Sequence, residues 1–381
     1  MKRILLALLA ALLIAPMGEA WAETAADITG RCVVTAAPGA KGKENLRDAS
    51  YLTYYTGRYL EIRTPEESPC FGLYICFSGV AAPYRVLSPG ADGAWREALT
   101  DNRGYVNSYV ALPGLAHLRI EPADTGLFSI ARLFVLGAGE TPEWVQDWQP
   151  FEGKADLMVL SAHADDELLF FGGVIPYYAA QEKKNVIVCY LTDQTPCRRN
   201  ELLDGLWTCG VRSYPHMGAF KDIKNHSLGD SYSFWGREPV LSYVTALIRR
   251  YQPDVLLTHD IRGEYGHGAH RVCADAAIRC FDLAAQADYM PTSGAPWQVR
   301  KLYLHLYAKD ESVFDWRQPL AAFGGKTAFD VVKAAFACHA SQRSNGLRVE
   351  DSGPYANNRF GLYASTVGED ERGGNLFEHL P

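Results

Sequence analysis

The chain has 381 residues, of which 48% are hydrophobic and 21% charged, with a formal net charge of −7. That balance supports more than one buried core and excludes a disordered chain. No run of Lys or Arg occurs, which argues against nucleic acid or an anionic membrane surface as the main partner.

Met1-Lys2-Arg3 is a basic start, residues 4–16 are an almost unbroken apolar run, and Ala20-Trp21-Ala22 offers small residues for cleavage. This is the pattern of a secretory signal over residues 1–22. The run is shorter than the roughly 20 residues that a membrane-spanning helix needs. The expectation is an exported protein, periplasmic or extracellular, with no stable membrane insertion after cleavage. Nine cysteines follow, and the odd count leaves at least one unpaired. Cys197 and Cys209 flank one predicted helix and could pair. Cys273 and Cys280 read as buried small apolar residues.

Residues 23–138 read as short β-type runs broken by Gly, Pro and Asn: Tyr59-Leu-Glu-Ile, Phe71-Gly-Leu-Tyr-Ile-Cys, Tyr109-Val-Ala-Leu, His117-Leu-Arg-Ile and Leu133-Phe-Val-Leu. Runs of this length and spacing predict an all-β sandwich. Leu46-Arg-Asp48, Thr53-Tyr54-Tyr55, Trp95 and the strands at 59–62, 117–120 and 133–137 resemble the discoidin-type, galactose-binding-like jelly roll. The resemblance implies a module that binds glycan or simply packs against its neighbour. Residues 139–152, with Trp144 and Trp148, read as a docked linker.

From residue 153 to 381 the text alternates strand and helix. Strands are predicted at 156–161, 186–192, 254–258 and 301–307, and helices at 167–183, 198–209, 239–251, 269–284 and 329–339. Such alternation predicts a mostly parallel, Rossmann-like α/β sheet with helices on both faces. Ligands then bind beyond the carboxyl ends of the strands.

The unusual residues stand at those ends. Strand 156–161 runs into His163-Ala164-Asp165-Asp166-Glu167, and strand 254–258 runs into His259-Asp260 and then Gly263-Glu264-Tyr265-Gly266-His267-Gly268-Ala269-His270. Three consecutive acids at the mouth of a buried strand call for a cation. A catalytic zinc takes three His, Asp or Glu ligands and keeps one position open. His163, Asp166 and His270 can meet at one point. Singly, each residue has an ordinary reading, a helix cap or a backbone-bonded histidine; together they point to metal.

His163-Ala-Asp-Asp-Glu167 resembles the HPDDE motif, and Tyr265-Gly-His-Gly-Ala-His270 the YGHPDH motif, of the PIG-L/LmbE-like zinc-dependent N-acetylglucosaminyl deacetylases. Arg198-Arg-Asn-Glu201 with Cys209-Gly-Val211, and Lys333 through His339-Ala-Ser341-Gln342, are similar to two further segments of that family. The resemblance spans about residues 154–345. It implies one Zn2+ on His163, Asp166 and His270, Asp165 as general base, His267 and Tyr265 at the leaving amine or the oxyanion, and Arg198 on an amino-sugar or glycan substrate. A surface ion pair is the ordinary alternative for Arg198, and Glu167 reads as a structural acid in a first helical turn. Two positions depart from the pattern. Ala164 replaces Pro, and Ala269 replaces an Asp that would orient His267, leaving Asp260, Asp193 or His259 as substitutes. The expected function is hydrolysis of the N-acetyl group of an amino sugar. The alternatives are hydrolysis of another small amide, or a glycan-binding protein with a degenerate hydrolase domain.

Overall fold

The computed structural model describes residues 23–79 and 82–380; the expected export signal at 1–22 lies outside them. The first region holds nine strands: Val33–Ala36 (β1), Tyr55–Gly57 (β2), Leu60–Arg63 (β3), Cys70–Phe77 (β4), Tyr84–Pro89 (β5), Trp95–Asp101 (β6), Asn107–Leu115 (β7), His117–Pro122 (β8) and Phe128–Leu136 (β9). They pair antiparallel in two sheets, ordered β1-β3-β8-β5-β6 and β2-β9-β4-β7. The register places Leu60 opposite Ile120 and Ile62 opposite Leu118 in one sheet, and Ile75 opposite Leu133 in the other. One apolar cluster draws on both sheets, with Leu60, Ile62, Leu73, Ile75, Leu118, Ile120, Ile130 and Val135 all fully buried. A one-residue slip in β3 or β8 would turn these side chains to water, so the burial pattern fixes the register. The sequence reading missed β1, β2, β5 and β6. β6 is an edge strand with mostly exposed side chains, Arg96 and Glu97 among them, and edge strands of this kind lack the apolar alternation that a reading relies on.

The second region holds β10 (Leu157–Ser161), β11 (Val186–Tyr190), β12 (Thr192–Asp193), β13 (Phe220–Lys221), β14 (Val255–Thr258), β15 (Lys301–His305), β16 (Glu311–Val313) and β17 (Arg359–Ser365). Its main sheet is ordered β11-β10-β14-β15-β17-β16. Pairing is parallel from β11 through β15 and antiparallel at β17 and β16. The sheet is therefore mixed, and across the whole molecule antiparallel pairing predominates. The expectation of a mostly parallel sheet holds for four of its strands only. An apolar run reveals a strand but not its direction, which depends on the end at which the chain re-enters the sheet.

Both faces of this sheet are covered. Leu157 and Val159 join a cluster with α3 (Pro196–Thr208) and α7 (Ala328–Phe336), while Met158 and Leu160 join one with α5 (Arg237–Tyr251) and α6 (Gly268–Leu283). The helix predicted over 167–183 is instead broken into α1 (Asp166–Leu169), α2 (Val174–Pro176) and a wide turn over Tyr177–Gln181. Gly172 and Gly173 explain the break. A Cβ at Gly172 would lie 2.3 Å from Leu168 O and from Val332 Cγ1, and one at Gly173 would lie 2.4 Å from the Trp316 ring. The chain turns here so that its backbone can touch α7 and Trp316. The remaining helix, α4 (Leu228–Trp235), is capped by Ser227, whose side chain accepts from Asp230 N. No disulfide forms among the described residues, so Cys197 and Cys209 do not pair; Cys273 and Cys280 are buried. No helix among the described residues is long and apolar enough to cross a membrane.

Candidate metal centre

Because β10 and β14 are parallel neighbours, their carboxyl ends lie side by side. Thr258 Oγ1 donates to Leu160 O at 2.7 Å, and Ala162 N donates to His259 Nε2 at 3.0 Å. The two motif loops thus leave the sheet together. Asp166 stands at their meeting point: its Oδ2 lies 2.8 Å from His163 Nδ1 and 3.2 Å from His270 Nε2, and it accepts from His163 N at 2.9 Å. All three side chains are buried. Burial raises the Asp166 pKa, but His270 and His163 outweigh it and hold the carboxyl well below its usual range. Burial likewise depresses both imidazoles, and the Asp166 carboxylate outweighs it, carrying His163 up to about 9 and His270 up to about 10. The centre is built to hold positive charge.

Two donor atoms fit a metal directly. His163 Nε2 and His270 Nε2 are buried and lack a hydrogen-bond partner among the described residues, although Asp222 Oδ1 is 3.2 Å from the former. Nitrogens of His163, His267 and His270 cluster closely enough to hold an ion, as do donor atoms of Asp166, His259 and His270. His259 is a poor ligand, because its Nε2 lone pair already accepts from Ala162 N and its Nδ1 faces Glu264 Oε2 at 2.7 Å. The donor set centred on His270, Asp166 and His163 fits a divalent cation.

Asp165 has φ +103°, a conformation that side-chain-bearing residues rarely adopt. Its N donates to Glu167 Oε2 at 2.8 Å, and its Oδ1 meets an Arg198 guanidinium nitrogen at 3.0 Å. Arg198 also donates to Ala164 O, so it braces the loop as well as the carboxylate. Strain of this kind is held in place only by such surroundings. Burial, then the neighbouring Asp166 charge, pushes the Asp165 carboxyl up. Two adjacent carboxyls are thus driven apart, one tightly ionised and one ready to take a proton.

A cavity of about 640 Å³ opens over these groups, lined by His163, Asp165, Asp166, Arg198, Tyr265 and His267. His270 closes the centre from beneath, in ring contact with His163, His267 and Tyr265. The far wall was not foreseen: Asp222, Lys224 and His226 come from the connection between β13 and α4, and Gln342, Asn345 and Leu347 from the turn after α7. Of these positions only Gln342 belongs to a segment with a family resemblance; no motif marks the others. Tyr265 and Leu347 also border a neighbouring recess of about 280 Å³.

His267 caps α6, its Nδ1 accepting from Ala269 N at 3.2 Å. No carboxylate hydrogen-bonds it among the described residues. The three suggested substitutes are engaged elsewhere: Asp193 with Arg199, Asp260 with the backbone of Arg262, and His259 with Glu264. Burial, then the charges of His163 and His270, lowers His267 to about 3. Ala269 itself is fully buried against the sheet. The carboxylate that the sequence reading passed over is Glu264, fully buried among three imidazoles.

A family model described as PIG-L, GlcNAc-PI de-N-acetylase, matches residues 158–281. The chain is 30% identical over 195 residues to a 1D-myo-inositol 2-acetamido-2-deoxy-alpha-D-glucopyranoside deacetylase of Frankia alni, a match covering 42% of this chain and 68% of that one. It is 27% identical over 178 residues to the Streptomyces avermitilis enzyme of the same name, covering 39% of this chain and 60% of that one. Among solved structures, an N,N'-diacetylchitobiose deacetylase from Pyrococcus horikoshii aligns with a TM-score of 0.39 at 19% identity, over 51% of this chain and 72% of the other.

Proposed function

We propose that this chain, which belongs to the PIG-L family of N-acetyl hydrolases, removes the N-acetyl group of an amino sugar with one zinc ion held by His163, Asp166 and His270. The observation that carries this reading is the meeting of His163, Asp165, Asp166, Arg198, Tyr265 and His267 around one cavity at the ends of parallel strands. The relatives' names, each a deacetylase of a 2-acetamido sugar, support the substrate class.

When bound, the ion supplies Lewis acidity, polarising the acetamide carbonyl and acidifying water. Asp165 takes the proton of the attacking water as the C–O bond forms, in the orientation that Arg198 gives it. Tyr265 offers its hydroxyl to the oxyanion and stays protonated, because burial and then the Asp166 and Asp165 charges push its pKa up. With Nδ1 of His267 engaged by Ala269 N–H, the neutral ring carries its proton on Nε2 and offers it to the oxyanion or the departing nitrogen. The C–N bond breaks, the amine leaves with the proton passed on by Asp165, and acetate is released. Arg198 remains a contact for the sugar through its cavity face.

The same reading makes the protein exported after cleavage of residues 1–22, with residues 23–138 as a galactose-binding-like sandwich, 139–152 as the linker and 153–381 as the deacetylase. The sugar is then free or part of an extracellular glycan. The test is acetate release from acetylated mono- and oligosaccharides and unrelated small amides, alongside zinc content. Release from small amides alone would change the substrate class, and glycan binding without release from anything would make the chain a binding protein. Amino-terminal sequencing of the mature protein checks the export signal.

A further inference from the structure

We propose that Glu264 is the positioning residue of the metal centre, fixing His270 in its ligating form, and that His305 holds Glu264 in place. The inference rests on the reading of His163, Asp166 and His270 as the metal set.

Four donors converge on the Glu264 carboxylate. Oε2 lies 2.7 Å from His270 Nδ1 and 2.7 Å from His259 Nδ1, while Oε1 lies 2.6 Å from His305 Nδ1 and accepts from Asp260 N at 3.2 Å. Glu264 and all three histidines are fully buried. A bare carboxylate at that depth is very costly, so the cluster stands only because its hydrogen bonds are complete. His259 cannot leave it, since its other nitrogen accepts from Ala162 N. That assignment puts the His259 proton on Nδ1, pointed at Glu264.

When a metal is bound His270 is neutral, and with its Nδ1–H given to Glu264 the ring would present its lone pair on Nε2, the atom that is buried, unpartnered and 3.2 Å from Asp166 Oδ2. A carboxylate behind a ligating histidine fixes the tautomer and raises the basicity of the ligand. His305 closes the arrangement from the next strand. Its Nδ1 faces Glu264 and its Nε2 faces Ala356 O at 2.9 Å, so both ring nitrogens lie against acceptors. β15 and the loop at residue 356 thereby hold the carboxylate that serves the loop after β14. Glu264 reaches the metal histidine from the turn that precedes α6.

The experiment measures zinc affinity of the full mature chain, after metal removal, by competition with a chromophoric chelator. The visible spectrum of the cobalt-loaded protein is recorded in parallel. Glu264→Gln keeps the shape and removes the charge; the expected result is a loss of zinc affinity of about 10–100-fold with an altered cobalt spectrum. His305→Gln, which touches neither the metal set nor the cavity, is expected to show a smaller loss in the same direction. Wild-type affinity and an unchanged spectrum in folded Glu264→Gln would overturn the proposal. If that variant does not fold, His305→Gln decides by the same readings. A wild-type chain that binds neither zinc nor cobalt overturns the metal reading itself, and that outcome is distinct from equal affinity in wild type and variants.

Discussion

In the proposed mechanism Asp165 and His267 carry opposite demands on the proton, and their surroundings answer them differently. Asp165 is buried beside an ionised neighbour, so its carboxyl is pushed toward accepting a proton. Asp165→Asn keeps the shape and cannot accept that proton. Acetate release is expected to fall about 10²–10⁴-fold with zinc content unchanged; undiminished turnover would move the base elsewhere. His267 is held down near 3 by burial and by neighbouring imidazolium charge. An acid that must be cationic loses activity as pH rises through its pKa. With the ring neutral above about pH 4 on this placement, no alkaline limb between pH 5 and 9 should belong to His267, and any cation in the centre only reinforces that sign. The proposed use of His267 as a neutral N–H donor has a second consequence: His267→Gln, which retains an N–H, should keep more activity than His267→Ala. Equal losses in the two variants, or a limb near neutral pH that vanishes in both, would show that the charged form acts. Ala269→Asp is a poor probe of this residue, because position 269 is packed in the core and a carboxylate there would be buried.

At the scale of elements, the break in the chain after α1 matters most. Asp166 and Glu167 begin that short helix, and the glycines beyond it let the backbone lie against α7 and Trp316. Gly172→Ala would force a methyl to within 2.3 Å of Leu168 O and Val332 Cγ1. Overpacking of this order costs about 1–3 kcal/mol, readable as a lower denaturant midpoint at unchanged slope. An unchanged midpoint would mean that α7 yields easily. The apolar residues of 167–183 read as one helix because glycine is tolerated within a helical pattern. Only the distance to α7 shows why the helix stops.

At the scale of the molecule, the two regions are joined by buried polar contacts rather than by a loose tether. Asn200, fully buried on α3, donates to Asn107 Oδ1 at 2.7 Å and to Phe77 O at 3.2 Å. Asp204, on the same helix, accepts from Tyr51 at 2.8 Å and Gln146 at 2.6 Å. Tyr105 stacks on Tyr214 with ring centres 4.0 Å apart. α3 also carries Arg198, so the first region braces the helix that steadies Asp165. A chain cut to residues 153–381 leaves these groups unpaired, at about 1–3 kcal/mol for each one that stays buried. The expected result is a lower melting temperature and reduced acetate release on a monosaccharide as well as on a polymer. A fragment that melts like the intact chain and loses only polymer activity would make the first region a glycan-binding attachment.

The sequence by itself marked the two motif loops, the strands that deliver them and the residues that gather around the cavity, because each of those signals is local. Acids and histidines at the end of an apolar run are conspicuous, and parallel strands bring their ends to one edge. It did not reveal what stands behind them. His305 lies 41 residues beyond Glu264, and Asp222, Lys224 and His226 belong to no motif, so only the folded chain shows these residues near the centre and Glu264 turned toward the histidines. Strand direction at β17 and β16 was likewise decided by the return path of the chain. The His267 tautomer, by contrast, is set locally, by a hydrogen bond from Ala269 N two residues on. Hydrogen-bond partners distant in sequence are chosen by packing, and packing is a property of the tertiary structure alone.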